Sequence, residues 1–186
     1  MIYSPLEQFN IITLIPLHSG NVYYSFTNSS LYMLLVVGLV LSLFQMVTAE
    51  GGRIVPSRWQ SVVEMIYTFV CDLVEGQVGK AGRAYFPFIF TVFSFILFSN
   101  LIGMVPYSFT VTSHFVVTFG LSISLFIGLT LIGIYTHGLH FLSFFWPSGA
   151  PIAMAPLLVV LEIVSYCFRP LSLGVRLFAN MMAGHT

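Results

Sequence analysis

Three charged side chains stand seven residues apart in an otherwise apolar stretch: Glu162, Arg169 and Arg176. A helix places residues at this spacing on nearly one face. Four further residues extend the same stripe: Tyr166, Leu173, Asn180 and Ala183. A charged side chain at the centre of a bilayer costs at least ~2.5 kcal/mol. If the stretch crosses a membrane, its charges therefore favour an ion-handling role over simple packing.

Two features of the stripe leave alternatives open upstream of Arg176. Pro170 can kink a helix, so the shared face is best defined beyond it. Glu162 and Arg169 could also form an interfacial pair that reaches toward water. Around Arg176 the small residues are typical of a surface that another helix approaches closely. They are Gly174, Ala179, Ala183 and Gly184.

A second possible site is the pair His137 and His140, which stand three residues apart. Such a pair could bind haem or a metal ion. No second histidine pair lies in another apolar stretch, however, so interfacial histidines at a helix end are favoured. Three prolines interrupt the segment that follows. Residues 137–156 are therefore expected to form a re-entrant or interfacial connector rather than a span.

The composition indicates a membrane protein. Of 186 residues, 58% are hydrophobic and 6% are charged, whereas soluble domains are about a quarter charged. Six Lys and Arg balance six Asp and Glu, which indicates no nucleic-acid partner. A soluble domain, a disordered chain and a secreted disulfide scaffold are excluded. The environment that fits is a lipid bilayer.

The distribution of charges leaves room for several membrane-spanning helices. A span needs about 20 mainly apolar residues, and neither residues 8–49 nor 84–161 contain Asp, Glu, Lys or Arg. The predicted spans cover residues 31–48, 86–105 and 115–135. A fourth, charged helix is predicted over 156–186. The predicted fold class is all-α, a polytopic membrane protein in which residues 1–186 form a single membrane domain.

Residues 58–78 predict a different element, an amphipathic helix at the membrane interface. Its polar face carries Ser61, Glu64, Thr68, Asp72 and Glu75, and its apolar face carries Val62, Ile66, Phe69, Val70 and Leu73. The acidic stripe is expected to face water or a partner. A solvated surface without a specific role explains the same charges equally well.

Basic residues predict how the chain is oriented. Four of them flank the amphipathic helix: Arg53, Arg58, Lys80 and Arg83. The positive-inside rule puts residues 50–84 on the side from which insertion occurred and the N-terminus on the far side. Residues 1–10 lack a basic region and a small-residue cleavage site, so no removable signal peptide is expected.

The charged helix carries a run that resembles a known family. Residues 168–185 (FRPLSLGVRLFANMMAGH) are similar to the signature of subunit a of the F-type ATP synthases. Residues 99–115 (SNLIGMVPYSFTVTSHF) and 4–16 (SPLEQFNIITLIP) are similar to mitochondrial members, particularly those of plants and algae. The resemblance extends over residues 4–186. Its motif, an arginine with an asparagine four residues on, is highly specific.

The resemblance implies a membrane stator whose two long, tilted helices face a rotating ring of c subunits. The charged helix becomes the first arm of a long tilted membrane hairpin. Protons enter by one aqueous half-channel, travel on a ring carboxylate and leave by a second half-channel. Arg176 matches the arginine that separates the two. A guanidinium keeps its proton at physiological pH, but it can stabilise an ionised ring carboxylate and lower that group's pKa.

The other family positions carry over one residue at a time. Glu162 matches an acidic position of the matrix-side half-channel, and Asn180 matches the amide one turn beyond the arginine. His185 and Asn100 match positions near the lumenal half-channel, although Asn100 could equally bond to a neighbouring helix. Arg169 matches a basic position for which a structural or interfacial role is expected.

The resemblance also implies a location and partners. The location is the mitochondrial inner membrane, with the N-terminus toward the intermembrane space; a bacterial plasma membrane is the alternative. The implied partners are the c ring, the peripheral stalk, other membrane-sector subunits and the lipid bilayer, with protons as the transported ion. No cofactor, metal or nucleic acid is implied. Because the sequence lacks a GxxxxGK[ST] loop, ATP chemistry is expected to belong to a partner and the chain is not expected to be an enzyme by itself.

One departure from the family pattern leaves two other classes of protein open. Family members continue beyond the AGH motif into a final long helix, whereas this sequence stops at Thr186. A second chain, or a continuation of this one, is therefore expected to supply the missing helix. The other classes are a membrane scaffold or assembly subunit that does not conduct protons, and a haem-binding redox subunit that uses His137, His140 or His185. Proton flux sensitive to dicyclohexylcarbodiimide would exclude the scaffold, and a haem absorption band would indicate the redox subunit.

Overall fold

The described part of the chain is predominantly α-helical. The computed structural model describes residues 7, 9–20, 22–49, 51–138, 141, 145 and 154–185. These residues include five α-helices: α1 (Asn28–Ala49), α2 (Arg58–Val78), α3 (Phe86–Gly103), α4 (Phe115–His137) and α5 (Ala155–His185). Short 3-10 helices, Lys80–Tyr85 and Val111–Ser113, precede α3 and α4.

Four helical segments are long and apolar enough to cross a membrane. They are Asn28–Ala49, Lys80–Gly103, Phe115–His137 and Pro156–Gly184. They contain 22 to 29 residues, against the about 20 that a span requires. The predicted all-α polytopic membrane fold is confirmed. Several helix boundaries differ from the predicted ones by a few residues. Helix α3, for example, ends at Gly103 rather than at Val105, because Pro106 disfavours helical backbone in the residue before it.

Two short pairs of antiparallel strands precede α1. The chain divides into two compact units, Met1–Val111 and Thr112–Thr186, and the strands belong to the first. β1 (Thr13–Ile15) pairs with β4 (Phe26–Thr27), and β2 (His18–Ser19) pairs with β3 (Val22–Tyr23). Asn28 links the strands to the helix, because its side-chain oxygen accepts from the Ile12 N–H and its amide donates to the Asn10 carbonyl.

Helices α1, α2 and α3 form the core of the first unit. Val36 of α1 and Val70 and Val74 of α2 are at most 2% exposed. Edge-to-face aromatic pairs also join α3 to α1 and to α2. The ring centroids of Phe44 and Phe90 are 5.5 Å apart, and those of Tyr67 and Phe86 are 4.9 Å apart. Such pairs stabilise packing by about 0.5–1.5 kcal/mol beyond their buried area.

Helix α2 has three faces where the sequence predicted two. One face packs within the unit and buries Gln60, Val63, Val70 and Val74. The acidic stripe is largely exposed, and Glu75 pairs with Arg83 at 2.5 Å. A separate apolar strip, which includes Val62 and Phe69, stays exposed. Val70 therefore leaves the predicted membrane-facing side for the protein core, while the position of α2 at the interface stays a prediction.

In the second unit, α4 and α5 form an antiparallel pair. Residues that come later in α4 contact residues that come earlier in α5. The pairs are Phe115 with Phe178, Ser122 with Pro170 and Phe126 with Tyr166. His137 ends α4. The predicted connector over residues 137–156, with His140, lies mostly outside the described residues.

Candidate functional site

Helix α5 carries most of the predicted site residues along a single axis. Its 31 residues extend for about 46 Å, which exceeds the ~30 Å of a hydrocarbon core. Glu162 lies about 21 Å before Arg176 along this axis, and the backbone of His185 lies about 14 Å after it. The two titratable positions therefore bracket Arg176 near opposite ends of the helix.

One face of α5 packs closely on α4. Pro170 and Gly174 are buried. The backbone at Gly174 comes so near to α4 that an added Cβ would lie 3.2 Å from the Cα of Phe119. Glycine permits this approach because it has no side chain. Of the small residues that the sequence singled out, Gly174 thus contacts a helix, whereas Ala179, Ala183 and Gly184 are exposed.

The opposite face of α5 carries the arginines. Arg169, Arg176 and Asn180 are all exposed, as is Leu173. Arg176 follows Gly174 by two residues, a rotation of about 200° about the helix axis. Because Gly174 sits against α4, Arg176 must lie on the far side of the helix. The structure therefore places Arg169, Arg176 and Asn180 together on a surface turned away from α4.

Tyr166 does not belong to that surface, contrary to its place in the predicted stripe. Its hydroxyl lies 2.8 Å from the Thr130 hydroxyl oxygen, and its ring centroid is 4.8 Å from that of Phe126, so the side chain turns toward α4. The Arg169 guanidinium carbon lies 5.3 Å from the centre of the Tyr166 ring. This is a cation–π contact, worth about 0.5–2 kcal/mol. Arg169 is thus held by an aromatic neighbour on its own helix.

Proline inside α5 does not interrupt it. The helix runs without a break from Ala155 to His185 through Pro170. The Ser122 hydroxyl of α4 donates a hydrogen bond of 2.5 Å to the Pro170 carbonyl oxygen. The predicted stripe is therefore carried by one helix, although an interior proline ordinarily weakens helical hydrogen bonding.

The remaining predicted site residues are Glu162, His185 and Asn100. Glu162 is half-buried on α5, and the side chain of His185 lies outside the described part of the structure. Asn100 is half-buried on α3, in the first unit, where its carbonyl accepts from the Met104 N–H at 3.1 Å. The structure thus brings together three of the predicted residues, on α5, and leaves Asn100 on another element.

Sequence reasoning missed three residues of α4 and its N-terminus. Ser122 and Thr130 hold α5, yet in sequence they are ordinary hydroxyl residues of an apolar helix. His114 precedes the first turn of α4, and its carbonyl accepts from the Val117 and Thr118 N–H groups. Burial lowers the pKa of His114 below its usual value of 6.5. The one sequence signal for Ser122 and Thr130 is the general enrichment of small and hydroxyl residues where membrane helices pack together.

A metal centre finds no support in the described residues. Among them, no group of three or more His, Cys, Asp and Glu side chains is arranged to hold a metal ion. His140, half of the predicted histidine pair, lies outside the described part. The site that the geometry does present is an exposed arginine and amide surface on a span-length helix.

The fold and this surface define a class. The chain is a polytopic membrane protein with ionisable side chains on one face of a long membrane helix. Ionisable residues within membrane spans are costly and characteristically mark ion or proton pathways. The class is therefore that of polytopic membrane proteins in which one long helix carries ionisable side chains along one face.

Comparison with known proteins gives the family. The family model described as ATP synthase A chain matches residues 30–186. ATP synthase subunit a of Marchantia polymorpha is 62% identical over 189 residues, covering 100% of this chain and 75% of the relative. The subunit of Oenothera berteroana is 59% identical, covering 99% and 67%. ATP synthase subunit a-2 of Arabidopsis thaliana is 57% identical, covering 98% and 54%.

The chain belongs to the ATP synthase A chain family, which is the family of subunit a of the F-type ATP synthases. The relatives bear out the predicted likeness to plant proteins. The chain spans between about half and three quarters of the length of these relatives.

Proposed function

We propose that the chain is the membrane stator of a rotary F-type ATP synthase, in which Arg176 faces the carboxylates of a c ring. The observation that carries the proposal is the exposure of Arg176 on the α5 face opposite α4. A lone guanidinium facing lipid costs about 2.5 kcal/mol or more. An ionised carboxylate on a partner that passes along this face offsets the cost.

Proton transfer then follows from the permanent charge of arginine. A protonated ring carboxyl group reaches Arg176, and the guanidinium lowers the pKa of that group by favouring its ionised form. The proton leaves to one half-channel, and the carboxylate is protonated again from the other after it has passed. Arg176 keeps its own proton throughout. Asn180, one turn away on the same face, offers an amide to the same carboxylate.

The two half-channels are assigned to opposite ends of α5. Glu162 belongs to the matrix-side half-channel, and His185 and Asn100 belong to the lumenal one. The positions of Glu162 and His185 lie about 35 Å apart along α5, a length comparable to the ~30 Å hydrocarbon core. Arg176 lies between them and prevents direct proton passage. Arg169 has a structural role, which its contact with Tyr166 supports.

The proposed location is the mitochondrial inner membrane, with the N-terminus toward the intermembrane space. The similarity to plant ATP synthase subunits supports the location, and the basic residues around α2 support the orientation. The proposed partners are the c ring, the peripheral stalk and other subunits of the membrane sector. A helix from residues beyond this sequence, or from a second chain, is proposed to cover part of the Arg176 surface. The chain conducts protons, and ATP chemistry belongs to the partner sector.

Substitution of Arg176 tests the proposal. Arg176→Lys keeps the charge but loses the planar, weakly hydrated guanidinium. We expect coupled ATP synthesis to fall by more than about tenfold, which corresponds to ~1.4 kcal/mol. Arg176→Ala should in addition open a passive proton leak. ATP synthesis and dicyclohexylcarbodiimide-sensitive proton flux in membrane vesicles measure both effects.

Leu173→Ala is the matched control, because Leu173 is an exposed, uncharged residue of the same face. It should leave ATP synthesis close to that of the wild type. Normal coupled synthesis in an assembled Arg176 variant would contradict the assignment and favour the non-conducting scaffold.

A further inference from the structure

We infer that α4 positions the arginine face of α5 by holding both ends of the turn that Pro170 weakens. This inference rests on the proposed function of Arg176. The proline turn comprises residues 166–170 of α5. Neither the family match nor the predicted site assigns a role to the two α4 residues that hold it, Ser122 and Thr130.

The proline turn lacks one backbone hydrogen bond. Proline has no N–H, so Pro170 cannot donate to the carbonyl of Tyr166, its helical partner four residues earlier. Helices ordinarily bend or swivel where such a bond is missing. Arg176 lies beyond this point, about 9 Å further along the axis. Any swivel at the turn would therefore change the direction in which Arg176 points.

Two hydroxyl groups of α4 bond to the two ends of this turn. The Thr130 hydroxyl donates its only proton to the Phe126 carbonyl at 2.7 Å. The Tyr166 hydroxyl is therefore the donor in its 2.8 Å contact with the Thr130 oxygen. At the other end, the buried Ser122 hydroxyl donates to the Pro170 carbonyl oxygen at 2.5 Å. Together these bonds replace the restraint that the missing backbone bond would supply.

The close contact at Gly174, together with the hydrogen bonds at the proline turn, fixes the rotation of α5 about its own axis. Gly174 follows Pro170 by one turn, and its backbone rests on Phe119 of α4. With the proline turn and Gly174 both seated on α4, α5 has one rotational setting. Because Arg176 is rotated by about 200° from Gly174, that setting turns the guanidinium away from α4. Ser122 is thus a positioning residue for Arg176.

The first experiment uses the assembled complex in membrane vesicles. Ser122→Ala should lower coupled ATP synthesis by about threefold, the effect of one average hydrogen bond between membrane helices. It should also raise the passive proton leak, while the amount of assembled subunit stays unchanged. Ser122→Thr keeps the hydroxyl and should restore both readouts. The control is Ser124→Ala, because the exposed Ser124 hydroxyl donates to the Leu121 carbonyl of its own helix and bonds to no other helix among the described residues.

The second experiment measures the rotation itself. Spin labels are attached at two exposed positions, Val116 of α4 and Val175 of α5, through Val116→Cys and Val175→Cys. The native thiols are removed by Cys71→Ala and Cys167→Ala. We expect the label-to-label distance distribution to shift or broaden in Ser122→Ala, and to stay as in the parent in Ser122→Thr and Ser124→Ala. An unchanged distribution in Ser122→Ala would overturn the inference.

Pro170→Ala supplies a further test, because alanine restores the N–H that the Tyr166 carbonyl lacks. If Ser122 acts through the proline turn, Ser122→Ala should have little effect on synthesis or leak in the Pro170→Ala background. Equal losses in both backgrounds would show that Ser122 matters for packing alone.

The Arg176→Ala and Ser122→Ala variants together separate this inference from the proposed function. Normal ATP synthesis in Arg176→Ala would contradict both the proposed function and the positioning role of Ser122. Loss of synthesis in Arg176→Ala together with normal synthesis in Ser122→Ala would contradict the positioning role alone.

Discussion

Arg169 and Arg176 occupy the same face of α5 in different surroundings. The Arg169 guanidinium lies over the Tyr166 ring at 5.3 Å, and Tyr166 in turn bonds to Thr130 of α4. Arg169 thus belongs to a chain of contacts that ends on another helix. Arg176 is exposed on the same face, two turns further along. The difference supports a structural role for the first arginine and a partner-facing role for the second.

The pH dependence of stability is predicted at His114. Burial lowers its pKa in the folded protein below the usual 6.5. Below about pH 6.5 the unfolded chain therefore binds a proton that the folded chain does not, so stability present above that pH is lost as the pH falls toward the folded pKa. We expect His114→Gln to flatten this dependence. Thermal unfolding of the detergent-solubilised complex between about pH 8 and pH 5 measures the effect.

His137→Gln is the matched control, because His137 is exposed at the end of α4. It should lose stability with falling pH as the wild type does. Parallel curves for the wild type and His114→Gln would show that His114 does not contribute.

At the level of elements, α5 depends on α4. Its proline turn and Gly174 are seated on α4, and its length exceeds the hydrocarbon thickness, about 46 Å against ~30 Å. A helix of this length crosses the bilayer at a tilt or projects from it. In either arrangement, we expect the ends of α5 that carry Glu162 and His185 to reach different sides of the membrane.

Cysteine labelling tests that arrangement. Glu162→Cys and His185→Cys, introduced separately into the Cys71→Ala and Cys167→Ala background, should react with membrane-impermeant thiol reagents added from opposite sides. The physical reason for this expectation is that the proposed half-channels would bring water to the two ends of α5, and thiol reagents react with the thiolate form in water. Rates of labelling in right-side-out and inverted vesicles give the measurement. Reaction of both cysteines from one side would refute the division, and reaction of neither would favour buried packing.

For the whole molecule, the distribution of charge predicts the orientation in the membrane. The basic residues cluster around α2, between two candidate spans, whereas the turn after α3 carries none. Basic residues are retained on the side from which insertion occurs. Residues 50–84 and the turn at 106–114 are therefore expected on opposite sides of the membrane.

Two exposed positions report this topology. Arg58→Cys and Tyr107→Cys, in the background that lacks the native thiols, should be labelled from opposite faces of sealed vesicles. Tyr107 is fully exposed in the turn after α3, and Arg58 begins α2. Lys80→Cys serves as the control and should be labelled from the same side as Arg58→Cys. Labelling of Arg58→Cys and Tyr107→Cys from one side would require a different number of spans between them.

The sequence by itself determined the long helices and the segment that carries the candidate site. Lipid penalises charges and unsatisfied backbone groups so strongly that long uncharged stretches such as those of α1 and α4 can hardly form anything but spans. The same penalty makes Arg176 conspicuous in an apolar segment, and its motif with Asn180 carries the family resemblance. These inferences depend on composition and spacing, which are local properties of the chain.

Only the tertiary structure decided how the helices are rotated. The prediction put Tyr166 in the stripe with Arg176, but its hydroxyl instead bonds to Thr130, a residue 36 positions away in the chain. Likewise, Val70 of α2 packs in the core although Phe69 beside it stays exposed. Apolar residues surround most of each membrane helix, so the pattern alone does not select one packed face. The selection comes from contacts such as Ser122 with Pro170, which join residues that only folding brings together.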